Sequence, residues 1–188
     1  MPGRAPGLHL SEAGRAQAER AAERIAALSP PPSAIYASPM ERTRETAAPI
    51  ARALGLRVRA NSGLLDCAVG EWEGTSLRVL NKKPEWRTLA GWPTGFRFPG
   101  GESFPEMFER VLDTVFSLAE IHRGERFVCV SHADPIKLLL AATVGAPLDL
   151  FERIAISPGS VSAVALGPGR PSVLCMNTTG SLSELVSS

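Results

Sequence analysis

The amino-acid sequence predicts an α/β protein, a three-layer α/β/α sandwich with a mostly parallel central sheet. Strand-type and helix-type segments alternate along its 188 residues. Two apolar runs, residues 34–37 and 126–130, each lead through a polar residue into a helical pattern, which is typical of buried parallel strands. The length suits one domain with a substantial core, and the sequence contains neither internal repeats nor a linker. We therefore expect a single domain over residues 1–188, with a polar tail from about residue 177 that frays.

Each predicted element has a local signal. The first helix covers residues 12–28, with Ser11 as its N-cap and three consecutive prolines after Ser29 as its stop. A long amphipathic helix at 104–121 places its apolar side chains on one stripe. The other predicted elements are strands at 34–37, 56–60, 126–130, 161–166 and 172–176, helices at 41–54 and 135–146, a segment at 75–89 whose helix Pro84 interrupts, and a loop at 91–101.

The composition excludes several classes of protein. With 20 basic and 19 acidic residues the formal net charge is +1, and no basic stripe indicates nucleic-acid binding. No apolar run is long enough to span a bilayer, and the N-terminus lacks the apolar core of a secretory signal. Three cysteines, Cys67, Cys129 and Cys175, have no metal-type spacing. We expect a cytoplasmic protein in a reducing environment.

One junction between a strand and a helix carries an arginine. The run at 34–37 ends in Ser38, and Arg42 follows four residues later in the first helical turn. A helix start leaves backbone N–H groups unpaired, and these favour an anion. The guanidinium adds a planar pair of donors suited to phosphate or carboxylate oxygens. On position alone, a solvated surface arginine is an equally good interpretation.

A second junction of the same kind carries a histidine. His132 follows the apolar run at 126–130, and Pro135 opens the next helix. Open α/β sheets bind their ligands at the carboxyl ends of strands. A lone histidine is most often structural, but two junctions that carry Arg42 and His132 predict a shared anion site.

Five segments resemble, in order, motifs of the histidine phosphatase superfamily, also called phosphoglycerate mutase-like. They are residues 10–18 (first-helix motif), 38–47 (phosphate-arginine motif), 65–74 (acidic-residue motif), 99–103 (a common loop) and 130–132 (second-histidine motif). Each is weak alone, but their shared order covers nearly the whole chain. The resemblance implies the phosphoglycerate mutase-like fold and a phosphomonoester hydrolase that works through a phosphohistidine intermediate.

One motif of that family has no counterpart in these residues. Members begin with a hydrophobic strand that ends in Arg-His-Gly, and its histidine accepts the phosphoryl group. The only histidines here are His9, His122 and His132, and none lies in such a motif. His9 lies in the motif that follows the nucleophile, and His122 is typical of a helix C-terminus. The resemblance therefore implies a fold with its first strand missing and a nucleophile absent from this chain.

The resemblance also implies roles for the residues that are present. Arg42 would clamp the phosphoryl oxygens, and His132 would donate to the same oxygens in the transition state. The family's general acid is usually a glutamate four residues before the motif glycine, and counting back from Gly70 gives Asp66, which is one methylene shorter. We expect His132 and Asp66 to be catalytic and Arg42 and His132 to bind phosphate.

Three glutamates near this motif are weaker candidates. Glu71 and Glu73 flank Trp72 in what resembles a structural turn. Glu102 is expected to cap the helix that begins at residue 104, because a helix N-terminus stabilises a carboxylate.

Two classes of function stay open. The first is an enzyme without cofactor or metal that acts on a small phosphorylated substrate. A phosphatase is favoured over a phosphoglycerate mutase-like phosphomutase because long insertions are absent. The second is a non-catalytic relic that binds a phosphorylated ligand or a protein partner through Arg42 and His132. Neither nucleic acid nor a membrane is expected as a partner, and a homodimer is left open. Without a nucleophile, the 188-residue form is expected to be nearly inactive.

Overall fold

A computed structural model describes residues 1–167 and 169–182. Its helices are α1 (Glu12–Ala26), α2 (Glu41–Leu54), α3 (Leu77–Leu80), α4 (Glu85–Gly91), α5 (Phe104–Ile121) and α6 (Ala133–Val144). Its strands are β1 (Ala34–Ala37), β2 (Val58–Ala60), β3 (Phe127–Val130), β4 (Val161–Ala165) and β5 (Ser172–Thr178). Short 3₁₀ turns lie at 62–64, 70–72, 93–95 and 148–153.

The central sheet is parallel, with strand order β2-β1-β3. Ile35 in the middle strand lies opposite Val58 on one side and Val128 on the other. Side chains alternate between the two faces of β1, so Ala34 and Tyr36 pack with α5 and α6, whereas Ile35 packs with α1 and α2. Helices therefore cover both faces of the sheet, and the predicted three-layer α/β/α architecture is confirmed.

The last two strands form a separate antiparallel pair, β4-β5, which is not hydrogen-bonded to the parallel sheet. Val161 of β4 and Cys175 of β5 nevertheless pack against the same apolar cluster as Val128 of β3. In the described part of the chain, β3 pairs with β1 alone, and its first three residues are only half-buried. The run at 126–130 is therefore a parallel strand as predicted, but one of its edges is unpaired.

Local sequence signals account for most helix boundaries. Ser11 caps α1 by accepting a hydrogen bond from the Gly14 N–H at 3.1 Å. Pro84 separates α3 from α4, as predicted. The helix expected to begin at Pro135 starts two residues earlier, at Ala133, so His132 is its N-cap residue.

The expected capping role of Glu102 is wrong. Ser103 caps α5 instead, in a capping box with Glu106: the Ser103 hydroxyl accepts from the Glu106 N–H, and the Glu106 carboxylate accepts from the Ser103 N–H at 2.9 Å. Glu102 is thereby free to act elsewhere.

The C-terminal tail differs from expectation over residues 177–182. Strand β5 continues to Thr178, and Leu182 is buried. The rest of the predicted tail, 183–188, lies outside the described residues. None of the helices in the described ranges has the length and apolarity needed to cross a membrane.

Candidate active site

Three side chains that the sequence singled out lie together at the carboxyl ends of β1 and β3. The Ser38 N–H donates to the Val130 carbonyl at 2.9 Å, which extends the pairing of β1 and β3 by one step beyond the strands. Both strands therefore end at one level. Arg42 in the first turn of α2 and His132 at the start of α6 consequently meet the loop that carries Asp66.

The Asp66 carboxylate lies between the guanidinium of Arg42 and the imidazole of His132. Its Oδ2 is 3.5 Å from Nη2 of Arg42 and 3.7 Å from Nδ1 of His132. Its Oδ1 accepts a hydrogen bond from the Cys67 N–H at 3.0 Å. Burial, and next the negative charge of Asp134, raise the pKa of Asp66 to about 6. Asp66 can therefore hold a proton at mildly acidic to neutral pH, as a general acid must.

The imidazole of His132 is buried and uncharged. Burial, followed by the positive charges of Arg42, Arg110 and Arg4, lowers its pKa to about 3. Its Nε2 lies 2.8 Å from the hydroxyl of Ser38, which is also fully buried. Its Nδ1 faces Asp66 at a distance longer than a hydrogen bond.

The guanidinium of Arg42 has one satisfied and one unsatisfied end. Nη2 donates to the Gly3 carbonyl at 2.8 Å. Nη1 is buried and has no hydrogen-bond partner among the described residues. A buried donor without an acceptor costs about 1–3 kcal/mol, so an anion bound at this point would relieve that cost.

A cavity of about 200 Å³ adjoins Asp66, whereas Arg42 and His132 do not line it. It is lined by residues of the N-terminal segment, the Asp66 loop and the start of α6: Met1, Pro2, Gly3, Asp66, Cys67, Val69, Ala133 and Asp134. The N-terminal segment is fixed at the rim because the Met1 carbonyl accepts from the Gly74 N–H at 2.9 Å. The space suits a small group rather than a large ligand.

An ionic network that the sequence did not reveal holds the Asp66 loop in place. One Glu102 oxygen accepts from Arg4 at 2.8 Å, from Arg110 at 2.7 Å and from the Ala68 N–H at 3.0 Å. Arg110 also donates to the Gly63 carbonyl, and Arg4 donates to the Asp66 carbonyl at 2.8 Å. These partners are far apart in the chain, so no local motif predicts them. The one available signal is a charged residue, Arg110, immediately before Val111 of the apolar stripe.

The other histidines and glutamates considered above lie away from this site or bind elsewhere. His9 is exposed, and its Nδ1 bonds the Glu45 carboxylate. His122 ends α5, and its Nε2 lies 3.0 Å from the Tyr36 hydroxyl. Glu73 accepts from the backbone N–H of Arg4 beside the buried ring of Trp72, consistent with a structural turn. Across the described ranges, no group of three metal-ligating side chains could hold an ion.

The structure is an α/β protein that groups an arginine, a histidine and a carboxylate at the carboxyl ends of two parallel strands. The sequence profile of the histidine phosphatase superfamily (branch 1) matches residues 2–179, and the chain belongs to this superfamily.

The curated relatives include one named as a phosphatase and others named as probable phosphoglycerate mutases. Phosphoserine phosphatase 1 of Hydrogenobacter thermophilus is 31% identical over 177 residues, which cover 93% of this chain and 83% of the relative. A bifunctional protein of Mycobacterium tuberculosis is 33% identical over 152 residues, which cover 80% of this chain but only 42% of that longer protein.

Solved structures show the same fold. The mycobacterial glucosyl-3-phosphoglycerate phosphatase in complex with inorganic phosphate superposes with a TM-score of 0.77 at 26% identity, covering 100% of this chain and 93% of that one. The α-ribazole phosphatase of Shigella flexneri gives a TM-score of 0.84 at 22% identity, with 98% and 91% of the two chains covered. The predicted phosphoglycerate mutase-like fold class is confirmed.

Proposed function

We propose that this chain is a phosphomonoester hydrolase of the histidine phosphatase type, acting on a small phosphorylated substrate in the cytoplasm. The observation that carries the proposal is a buried donor without an acceptor, beside a ring nitrogen without a close partner. Among the described residues Nη1 of Arg42 is buried and unpaired, and Nδ1 of His132 lies 3.7 Å from the Asp66 carboxylate. An oxyanion such as a phosphoryl group would give Nη1 an acceptor, and would give Nδ1 one as well if the ring carries its proton there.

The geometry gives each residue a role in phosphoryl transfer. Negative charge spreads over three equatorial oxygens in the transition state, so fixed positive potential and positioning supply most of the catalysis. Arg42 would hold those oxygens, and His132 would donate to them as a neutral ring. Asp66, with its pKa raised to about 6, would protonate the leaving oxygen. Names of relatives, among them a phosphoserine phosphatase, support a small phosphomonoester as the substrate class.

We infer that the phosphohistidine intermediate requires a histidine that residues 1–188 do not contain. His9 bonds Glu45 and His122 bonds Tyr36, and neither contacts Arg42 or Asp66. Nε2 of His132 is already hydrogen-bonded to the Ser38 hydroxyl. The 188-residue form would therefore bind an oxyanion yet turn over substrate poorly, because loss of a covalent nucleophile removes several orders of magnitude in rate.

The same absence favours a second candidate function. A chain that keeps the anion site without a nucleophile would serve as a non-catalytic module that binds a phosphorylated ligand or a protein partner. A phosphomutase would need the same histidine as the phosphatase.

Calorimetry with inorganic phosphate or vanadate tests the anion site. The protein should bind the anion weakly, and an Arg42→Ala/His132→Ala variant should bind it at least about tenfold more weakly. Arg52→Ala is the matched control, because Arg52 lies on the same helix but forms an exposed ion pair with Glu19. Equal binding by wild type and the double variant would rule out the site.

An assay of p-nitrophenyl phosphate hydrolysis distinguishes the phosphatase from the non-catalytic binding module. The 188-residue protein should hydrolyse it no faster than an Arg42→Ala variant. Robust turnover that His9→Ala abolishes would instead make His9 the nucleophile and overturn the assignment.

A further inference from the structure

The structure places a buried serine against the histidine of the site. Ser38 is fully buried at the end of β1, and its Oγ is 2.8 Å from Nε2 of His132. Within the described chain this is the one hydrogen bond that the Ser38 hydroxyl forms. The nearby hydroxyl of Thr43 donates through Oγ1 to the Ser38 backbone carbonyl at 2.8 Å, not to the Ser38 side chain.

We infer that Ser38 is a positioning residue that selects the tautomer of His132: its hydroxyl donates to Nε2, so the ring carries its proton on Nδ1 and directs that donor toward the oxyanion site. The inference rests on the proposed function for its consequence, because only an anion-binding site needs the Nδ1 donor.

Hydrogen-bond accounting supports this direction. A neutral imidazole has one donor and one acceptor nitrogen. If Nε2 carried the proton, it would donate to Ser38, and the buried Ser38 hydroxyl would have no acceptor for its own proton. A buried donor in that condition is costly, and the alternative arrangement avoids the cost.

The groups facing Nδ1 support the same tautomer. Oδ2 of Asp66 lies 3.7 Å from Nδ1. With the proton on Nε2, the lone pair of Nδ1 would face this carboxylate oxygen, so two acceptors would oppose each other. With the proton on Nδ1, the ring presents a donor to the same space into which Arg42 brings its own. The Nδ1–H group of His132 and the guanidinium of Arg42 then both offer hydrogen-bond donors to a bound anion.

The charge state of the ring is compatible with selection by a hydroxyl. Because burial and three arginines keep His132 neutral, the ring has two tautomers to choose between rather than a doubly protonated form. Substitution of Ser38 by alanine removes the hydroxyl that is hydrogen-bonded to Nε2, and with it the preference for a proton on Nδ1.

Nuclear magnetic resonance of ¹⁵N-histidine-labelled protein tests the inference directly. The sequence contains only three histidines, so a His132→Asn variant assigns the ring signals. Wild type should show the neutral Nδ1–H tautomer at pH 7. Ser38→Ala should shift the population toward Nε2–H, while Ser38→Thr, which keeps the hydroxyl, should retain the wild-type tautomer. If the added methyl of threonine prevents folding, Ser38→Cys supplies a weaker donor for the same comparison.

Thr43→Val is the matched control. It removes a buried hydroxyl one turn away with little change in shape, and it should leave the tautomer unchanged. Phosphate affinity should fall about three- to tenfold in Ser38→Ala and stay near wild type in Thr43→Val, because a lost donor to a charged acceptor has an effect of this size.

The outcomes separate this inference from the proposed function. An Nε2–H tautomer in the wild type, or an unchanged tautomer in Ser38→Ala, would overturn the inference even if phosphate binds through Arg42. An Nδ1–H tautomer that is lost in Ser38→Ala would support it even if phosphate does not bind, and in that case the proposed function alone would fail.

Discussion

Strands β1 and β3 lie side by side and carry side chains of the same apolar kind, yet they differ in burial. All four residues of β1 are buried, because it has a hydrogen-bonded neighbour on each side and helices on each face. The first three residues of β3 are half-buried, because one of its edges has no partner in the described chain. The proposed anion site lies where the two strands end. One side of the site therefore lies beside a strand that is paired on both edges, and the other side beside a strand that is paired on one edge in the described chain.

This difference locates the weakness of the domain. The pair β4-β5 packs against the apolar cluster of β3 without hydrogen-bonding to it. An unpaired strand edge presents a row of N–H and C=O groups that can recruit another strand. We therefore expect an added strand to have its largest effect at the edge of β3 that is unpaired in the described chain, on stability and on the adjacent proposed site together.

The largest expected effect comes from adding that strand. A chain extended upstream by an apolar strand that ends in Arg-His-Gly should hydrolyse p-nitrophenyl phosphate faster by roughly three orders of magnitude or more, because it supplies a nucleophile beside Arg42 and His132. Its melting temperature should also rise, since each buried unpaired backbone group costs about 1–3 kcal/mol. Activity assays and thermal denaturation of the two forms measure this.

The 188-residue form is the reference for that experiment. We expect it to be poorly soluble or to close the open edge by strand exchange between copies, which size-exclusion chromatography with light scattering would detect. A cooperative, thermally stable monomer of 188 residues would show that the sheet is complete without a further strand. An extension ending in Arg-Ala-Gly is the matched control: it should raise the melting temperature but leave activity low.

The second prediction compares the loss of stability caused by alanine substitution of two residues that lie opposite each other in neighbouring strands. Ile35 in β1 and Val128 in β3 are register partners and belong to the same apolar cluster. Ile35→Ala should lower the free energy of unfolding by about 3 kcal/mol, whereas Val128→Ala should lower it by only about 1 kcal/mol because Val128 is half-exposed. Chemical denaturation measures both values. In the extended chain the cost of Val128→Ala should rise to about 2.5 kcal/mol; an equal cost in both chains would show that the edge of β3 is not where the strand adds.

The sequence predicts both β1 and β3 as buried strands and does not predict that one edge of β3 is unpaired in the described chain. An apolar run of four residues indicates that its side chains are buried, whereas the pairing of a strand edge depends on which segment lies beside it. Helices α1 and α5 were predicted nearly to their observed bounds because each has a serine cap and, in α5, a continuous apolar stripe. Arg42 and His132 stand out in the sequence as candidates because each follows a strand at a local junction.

The remainder of the site depends on contacts between distant segments. Arg4 and Arg110 meet at Glu102 only after the N-terminal segment and α5 have packed against the Asp66 loop. Ser38 is part of a motif that the sequence displays, but its bond to His132 depends on the parallel pairing of β1 and β3. Such contacts follow from topology, which the local sequence does not encode.

The smallest predicted effect concerns the titration of Asp66, which lies between Arg42 after β1 and His132 after β3. Its pKa rises from 3.8 to about 6 on folding, so between these values the folded state binds more protons than the unfolded state. The contribution of Asp66 to stability is therefore fully present below about pH 4 and is lost as the pH rises through 6. The upper limit of this contribution is about 3 kcal/mol, and solvent exposure of the carboxylate reduces the expected value to about 1–2 kcal/mol. Between pH 4 and 6 the lowered pKa of His132 acts in the opposite direction, because the unfolded state binds more protons on this imidazole than the folded state does. Asp66→Asn should therefore make the unfolding free energy rise more steeply with pH between 4 and 6 than in the wild type, measured by urea denaturation at each pH. A slope that Asp66→Asn does not alter would show that Asp66 is ionised in the folded protein and unsuited to donate a proton to the leaving group.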